Sequence, residues 1–162
     1  MAARRPLVLV DLETSQLPLG DTLDAVVNGL GIELVNESAT NLGRCVPVCP
    51  GTGQGAGGFQ PARANDLGTA RVIGLIGAIQ IGPGASGLIV SFGNLQATTA
   101  EWNAVTGQNS GLTPGAVYYL SDVVPFRLAT NPPLTTGDFV TRIGQALTPT
   151  VMFLNIQPPI GL

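Results

Sequence analysis

Glycine and proline interrupt this sequence so often that long regular elements have little room to form. Of the 162 residues, 22 are Gly and 13 are Pro. The apolar runs between them are short and rich in Val and Ile, as in Val72–Ile76 and Leu88–Val90. Short β-branched runs bounded by turn residues favour strands over helices. We predict a mainly β fold: a compact β-sandwich, jelly-roll or small β-barrel domain with an extended N-terminal arm, one short helix and an extended C-terminal tail.

The charged residues exclude several classes of function. Only 10% of the chain is charged, and its seven basic residues are all Arg, with no Lys and no His. Without His the most common general base and metal ligand is missing, and without Lys there is no Schiff-base chemistry. The formal net charge of −3 argues against a nucleic-acid partner. No uninterrupted apolar run reaches membrane-spanning length. We therefore expect no enzyme activity, no catalytic residues, no cofactor, and neither a nucleic-acid nor a membrane partner.

The few candidate ligands do not form a recognisable metal or phosphate site. Cys45 and Cys49 would lie on one face of an extended strand, with Cα atoms roughly 13 Å apart, whereas a disulfide needs less than ~7 Å. We predict two buried thiols. Asp11 and Glu13 could ligate a hard cation, but solvated surface is the better interpretation. The glycine cluster Gly51–Gly58 is not followed by a helix start, so it predicts a flexible loop. We expect no metal site.

The pattern changes along the chain and divides it into three parts. Residues 1–31 are predicted to be an arm, in which Asp21 or Thr22 could cap a short helix. Residues 32–157 are predicted to be a β domain, and residues 158–162 a tail. In the β domain, Thr98 and Glu101 have the spacing of a capping box, which predicts a short helix ending at Gly107. The predicted strands are 32–35, 44–49, 72–81, 88–93, 117–120, 126–129, 139–144 and 150–156.

Both ends of the chain carry apolar extensions that the domain itself does not obviously need. An apolar arm loses conformational entropy when it is ordered, but it buries surface when it clasps a partner. Arg without Lys also suits interfaces, where guanidinium groups are enriched. We therefore predict that both extensions contact a partner protein or a second subunit. The candidate interface residues are Arg4, Arg5, Pro6, Leu7, Val8, Leu9, Val10, Leu17, Pro18, Leu19, Pro158, Pro159, Ile160 and Leu162.

Two segments resemble structural proteins of tailed double-stranded DNA bacteriophages, among them head cement or decoration proteins. The first contains RRPLVLVD (4–11) and QLPLGDTL (16–23). The second contains GLTPGAVYYLS (111–121), TGD (136–138) and IGQAL (143–147). Together the similar stretches, 4–24 and 111–157, cover about half of the chain, and they contain no catalytic signature.

The resemblance implies a structural virion protein. Such a cement protein would form homotrimers that bind the major capsid protein on the outer surface of the capsid, after synthesis in the bacterial cytoplasm. The trimers would brace the expanded shell against the pressure of the packaged DNA. The alternative is a tail or head fibre component that recognises the host cell surface. That alternative predicts glycan or cell binding, with Trp102, Tyr118 or Tyr119 exposed.

Overall fold

The computed structural model describes residues 7–10, 13–16, 27–53 and 57–162, and side chains are described from residue 30 onward. In these ranges the strands are β1 Leu7–Val10, β2 Glu13–Gln16, β3 Val27–Asn36, β4 Leu42–Gly43, β5 Pro47–Pro50, β6 Gly58–Pro61, β7 Gly74–Ile76, β8 Gln80–Ile81, β9 Ser86–Gln96, β10 Val117–Leu120, β11 Leu128–Ala129, β12 Phe139–Val140, β13 Arg142–Thr148, β14 Val151–Asn155 and β15 Ile160–Gly161. The helices there are α1 Leu67–Ala70 and α2 Thr99–Thr106.

Five strands close into a ring at one end of the main sheet. They pair in the order β9–β3–β6–β5–β7, and β7 then pairs back with β9. The pairing of β3 with β6 is parallel, and the others in the ring are antiparallel. At the closing pair the backbones come so close that a Cβ on Gly74 would lie 2.7 Å from the carbonyl oxygen of Val90. Ring closure therefore requires a residue without a side chain at position 74.

The long strand β9 joins the ring to a second group of strands. Its first half pairs with β7, through Leu75 opposite Val90, and its second half pairs with β14. The sheet then continues through β13 and β10 to β11. Between the halves, the β3 register jumps from Phe92 to Val90, which leaves Ser91 as an extra residue. Such a bulge bends its strand, which is how β9 can leave the ring and border the second group.

One hydrophobic core runs through both halves of the domain. In the ring it contains Phe59, Leu75 and Ile89, which are fully buried. The part between the second group of strands and helix α2 contains Trp102 and Met152, also fully buried. Because burial of apolar side chains is the dominant stabilising term in folding, this shared core joins the two halves.

Helix α2 begins where the capping box predicts it. The Glu101 amide donates to the Thr98 hydroxyl oxygen at 3.2 Å, and the Thr98 amide donates to the Glu101 carboxylate at 2.7 Å. The helix ends at Gly107, whose φ of 72° is the left-handed conformation that glycine adopts freely. A second helix, the single turn α1, starts at Asp66, whose side chain accepts from the Gly68 amide at 2.8 Å. We did not predict α1.

The prediction of a mainly β fold is confirmed, with 42% of residues in strands and 9% in helices. Several predicted strands differ in extent. The predicted strand 126–129 begins only at Leu128, and 139–144 is divided between β12 and β13. The predicted strand 44–49 begins only at Pro47, because Cys45 has a φ of 69° and lies in a turn. The predicted strand 72–81 is divided into β7 and β8. The division at residue 31 falls within β3, and the short helix expected after Asp21 lies outside the described residues before β3 begins.

Candidate interaction surface

Four apolar side chains lie together on the outer face of β3, β9 and β14. We call the set formed by Leu30, Ile32, Phe92 and Phe153 the outer apolar face. Leu30 and Ile32 point to the same side of β3, because alternate residues of a strand share a face. Ile32 is opposite the buried Ile89 and is itself 54% exposed, so it marks the border between this face and the ring core. Leu30 is opposite Phe92 in the register, and the Phe92 and Phe153 rings meet edge to face with centroids 5.4 Å apart. Three neighbouring strands therefore contribute to one apolar surface.

The outer apolar face is open to solvent within the described part of the chain. The exposed fractions are 71% for Leu30, 54% for Ile32 and 47% for Phe92. On β14 the alternate residues Met152 and Leu154 are buried in the core, so Phe153 points outward. A cluster of large exposed apolar side chains on a sheet marks an interaction surface more often than a single exposed one does.

The predicted interface residues of the N-terminal arm are only partly described. Leu7–Val10 form β1, which pairs antiparallel with β2 from Leu7 opposite Gln16 to Val10 opposite Glu13. This hairpin is a two-stranded sheet of its own. The other predicted arm residues lie outside the described ranges; they are Arg4, Arg5, Pro6, Leu17, Pro18 and Leu19.

The C-terminal tail is held against its own domain. Strand β15 pairs with β12, with Val140 opposite Ile160, and the Leu162 amide donates to the Asp138 carbonyl at 3.0 Å. The tail side chains nevertheless remain available, since Ile160 is 64% and Leu162 47% exposed. Pro158 is exposed and Pro159 half-buried. The backbone of the tail is therefore occupied within the chain, and the contact of its side chains with another molecule stays a prediction.

The aromatic side chains named for glycan recognition are mostly enclosed. Trp102 of helix α2 is fully buried, and its indole donates to the Thr150 carbonyl at 3.1 Å. Tyr118 is also fully buried, and its hydroxyl donates to the Gln108 side-chain oxygen at 2.7 Å. Tyr119 is half-buried. Two of these three rings cannot stack on a ligand in this conformation.

The two thiols are buried and free. Cys45 and Cys49 are both completely inaccessible and form no disulfide. Burial raises the pKa of the Cys45 thiol well above its ordinary value, and the nearby Glu101 carboxylate raises it further. Burial also raises the pKa of Cys49 to about 11. Because the thiolate is the nucleophile and the metal ligand, these protonated thiols are packing residues, in agreement with the prediction.

The one ion pair found among the described residues is structural. The Arg44 guanidinium lies 3.7 Å from the Glu101 carboxylate, and the Arg44 Nε donates to the Gly77 carbonyl at 2.9 Å. Burial by itself would raise the pKa of Glu101. Hydrogen bonds from the Thr98 amide and hydroxyl, together with the Arg44 charge, bring it below its ordinary value. This arrangement fastens the first turn of α2 to the ring.

An open cleft of about 550 Å³ lies between the β9 bulge and the start of the tail. Its polar lining includes Arg71, Ser91 and Gln157. The Ser91 hydroxyl donates to the Leu30 carbonyl at 3.1 Å. The described residues that line the cleft include neither a carboxylate nor a thiol. No group of three or more Cys, Asp or Glu side chains in the described ranges is arranged to hold a metal ion.

The outer apolar face was not among the sequence-predicted sites. The sequence placed Ile32 and Phe92 in strands, but apolar residues occur at both even and odd positions of these strands. A period of two identifies a half-buried strand only when one face is polar. The available signal was the run from Leu30 to Val35, in which Glu33 is the only charged residue.

No protein-family model matches this chain, and no curated protein matches it. In the part of the chain that the structure describes, the helices are too short to cross a bilayer.

Proposed function

We propose that this chain is a structural virion protein, a homotrimeric cement or decoration protein. It binds the major capsid protein on the outside of a bacteriophage capsid and stabilises the expanded shell against internal DNA pressure. It is made in the host cytoplasm, and it has no enzymatic role. The proposal rests on the resemblance of segments 4–24 and 111–157 to such proteins. The structural observation that carries it is the outer apolar face.

We assign the subunit contact of the proposed trimer to the outer apolar face. Its exposed side chains are aliphatic and aromatic. They lie on strands of the main sheet, whose backbone is held by hydrogen bonds to neighbouring strands. Apolar contacts on rigid elements lose little conformational entropy on binding. A second copy of the chain offers the same kind of surface. Contacts with the capsid then fall to other parts of the trimer, among which the arm and tail residues are candidates.

The burial of Trp102 and Tyr118 favours the cement function over the fibre function. A host-recognising fibre tip would use exposed aromatic rings to stack on sugars. Here both rings are buried, and their polar atoms are satisfied by hydrogen bonds inside the domain. Exposing them would remove core packing as well as these bonds.

The copy number of the chain in purified virions tests this function. Quantitative mass spectrometry would compare its peptides with those of the major capsid protein. We expect copies comparable to those of the capsid protein, because a cement protein covers the shell. A small fraction of that number would indicate a fibre or vertex component, and absence from virions would overturn the structural virion role altogether.

A further inference from the structure

Among the residues that the structure describes, none pairs with the outer edge of strand β3 along most of its length. The Asn36 amide and carbonyl both bond to the turn before β9, at Ala85 and Gly84, while the next amide, Glu37, bonds to Phe59 of β6. Amides of a strand alternate between its two sides. Gly31 and Glu33 therefore direct their amides and carbonyls away from β9, towards the outer edge.

The described residues leave this edge unpaired from Val27 to Leu34. On this side, β3 pairs with β6 only at Val35 and Asn36. Gly31 and Glu33 are both exposed, so their outward backbone groups face solvent. Long apolar edges invite pairing with another strand, and proteins usually protect them with Lys, Pro or a covering segment. Over this stretch the chain has neither Lys nor Pro, and Glu33 is the only charged residue.

Strand β1 is the segment whose properties match the open edge. All four of its residues are apolar, LVLV, whereas β2 reads ETSQ. The β1–β2 hairpin forms its own two-stranded sheet, and an isolated two-stranded hairpin is only marginally stable in water. Pairing of β1 with a third strand would stabilise the hairpin and satisfy the open edge of β3 at the same time.

The geometry of the chain allows this pairing to occur between molecules. Residues 17–26 connect β2 to β3, and ten residues can span up to about 35 Å when extended. In the single chain, β1 pairs with β2 and not with β3. Copies that each donate a hairpin and accept one form either a two-fold dimer or a head-to-tail assembly, and a head-to-tail assembly closes into a ring where the rotation between copies allows it. A ring of three copies satisfies all edges without leaving one open.

We propose that strand β1 of a neighbouring copy pairs with the outer edge of β3, next to the outer apolar face. The neighbour's hairpin adds to the main sheet at the outer edge of β3, and each copy contributes one strand and receives one. This inference rests on the proposed homotrimer, and it identifies the chain segment that joins the subunits.

A disulfide cross-linking experiment between differently tagged full-length chains tests the pairing. One chain carries a single Cys in β1, made in turn as Leu7→Cys, Val8→Cys, Leu9→Cys and Val10→Cys. The other chain carries Ile32→Cys on β3. The matched control carries Leu134→Cys, at a loop position that is 87% exposed. The native thiols contribute little background because both are buried.

We expect mixed-chain disulfides at alternate β1 positions with Ile32→Cys, and none with Leu134→Cys. The alternation is expected because every second side chain of a strand points to the same face. Mixed-chain disulfides at none of the positions, or equally at all four and with the control, overturn the proposal. A chain that carries both a β1 Cys and Ile32→Cys provides a further test. If the disulfide forms only within that chain, the hairpin pairs with β3 of its own molecule, and the proposal is also overturned. Disulfides that join only two Ile32→Cys chains assign the edge to a second β3 and likewise overturn it.

Hydrogen exchange of the unmodified chain provides a measurement that does not depend on any substitution. In the assembled protein, the amides of Gly31 and Glu33 should exchange at least about tenfold more slowly than in dilute, dissociated protein. Equal rates overturn the pairing. The virion copy number separates the two proposals: abundant chain in virions without the cross-links removes only this inference, whereas cross-linking of a chain absent from virions removes only the virion function.

Discussion

Substituting Phe92 on the outer apolar face should weaken self-association while leaving the domain folded. Phe92 is 47% exposed. A phenylalanine buries at least about 150 Å² when fully enclosed, so roughly 70 Å² remains to be covered in a subunit contact. At about 25 cal/mol per Å², that area is worth about 2 kcal/mol, which corresponds to a roughly 30-fold change in the dissociation constant per contact.

The assay for Phe92→Ser is sedimentation velocity or light scattering over a concentration series, compared with the unsubstituted chain. Loss of the contact with the Phe153 ring should also lower the free energy of unfolding of the monomer by about 1 kcal/mol. Urea unfolding followed by the fluorescence of the single, buried Trp102 measures that part separately.

Val123→Ser is the matched control, because Val123 is 73% exposed in the loop between β10 and β11 and is not part of the outer apolar face. It should leave association unchanged. Less than about threefold weakening by Phe92→Ser in a folded protein would refute the assignment of this face. Equal weakening by both substitutions would show nonspecific adhesion of apolar side chains.

Three further predictions concern stability and thiol chemistry. Thr98→Ala removes the hydroxyl that accepts from the Glu101 amide, and it should lower the free energy of unfolding by about 1 kcal/mol in urea denaturation. The pKa of Glu101 is lowered in the folded protein, so its stabilising contribution is complete above its ordinary value of 4.5 and is lost as the pH falls through the lower folded value. Glu101→Gln should flatten that acid limb of stability relative to the unsubstituted chain. Finally, Cys45 and Cys49 are buried and have raised pKa values, so iodoacetamide at pH 8 should not alkylate them in the native protein. Both thiols should be labelled in denaturant, as measured by mass spectrometry. Rapid labelling of the native protein would contradict their packing role.

Features that depend on neighbouring residues were predicted well. The capping box of Thr98 and Glu101 identified the start of α2, because both hydrogen bonds form within one turn. Pro114 followed by Gly115 is a pattern typical of a type II turn, and Gly115 has the positive φ, 81°, that such a turn requires. The predicted strand 117–120 agrees with β10. In each case the interacting groups are close in sequence, so their pattern contains the necessary information.

The position of Pro47 shows where local rules are insufficient. A proline within a predicted strand indicates an edge or a bulge, because it cannot donate a backbone hydrogen bond. Here β5 is one of the strands of the ring, and it is paired on both sides, with β6 and with β7. Pro47 is the first residue of that strand, and its carbonyl still accepts from the Ala62 amide at 3.0 Å. The placement depends on residues far along the chain, which a local pattern does not include.

By itself, the sequence determined the short strands, the turns between them, the capped helix and the lack of ordinary catalytic groups, since each of these follows from residue type and local spacing. Only the tertiary structure decided which faces and edges stay open. Leu30 is opposite Phe92, 62 positions further along the chain, and the ring closes through Leu75 and Val90. The alternation of residues along a strand shows which side chains share a face. Whether other parts of the protein cover that face depends on strands that are distant in sequence. The outer apolar face and the open edge of β3 are therefore consequences of how the whole chain pairs.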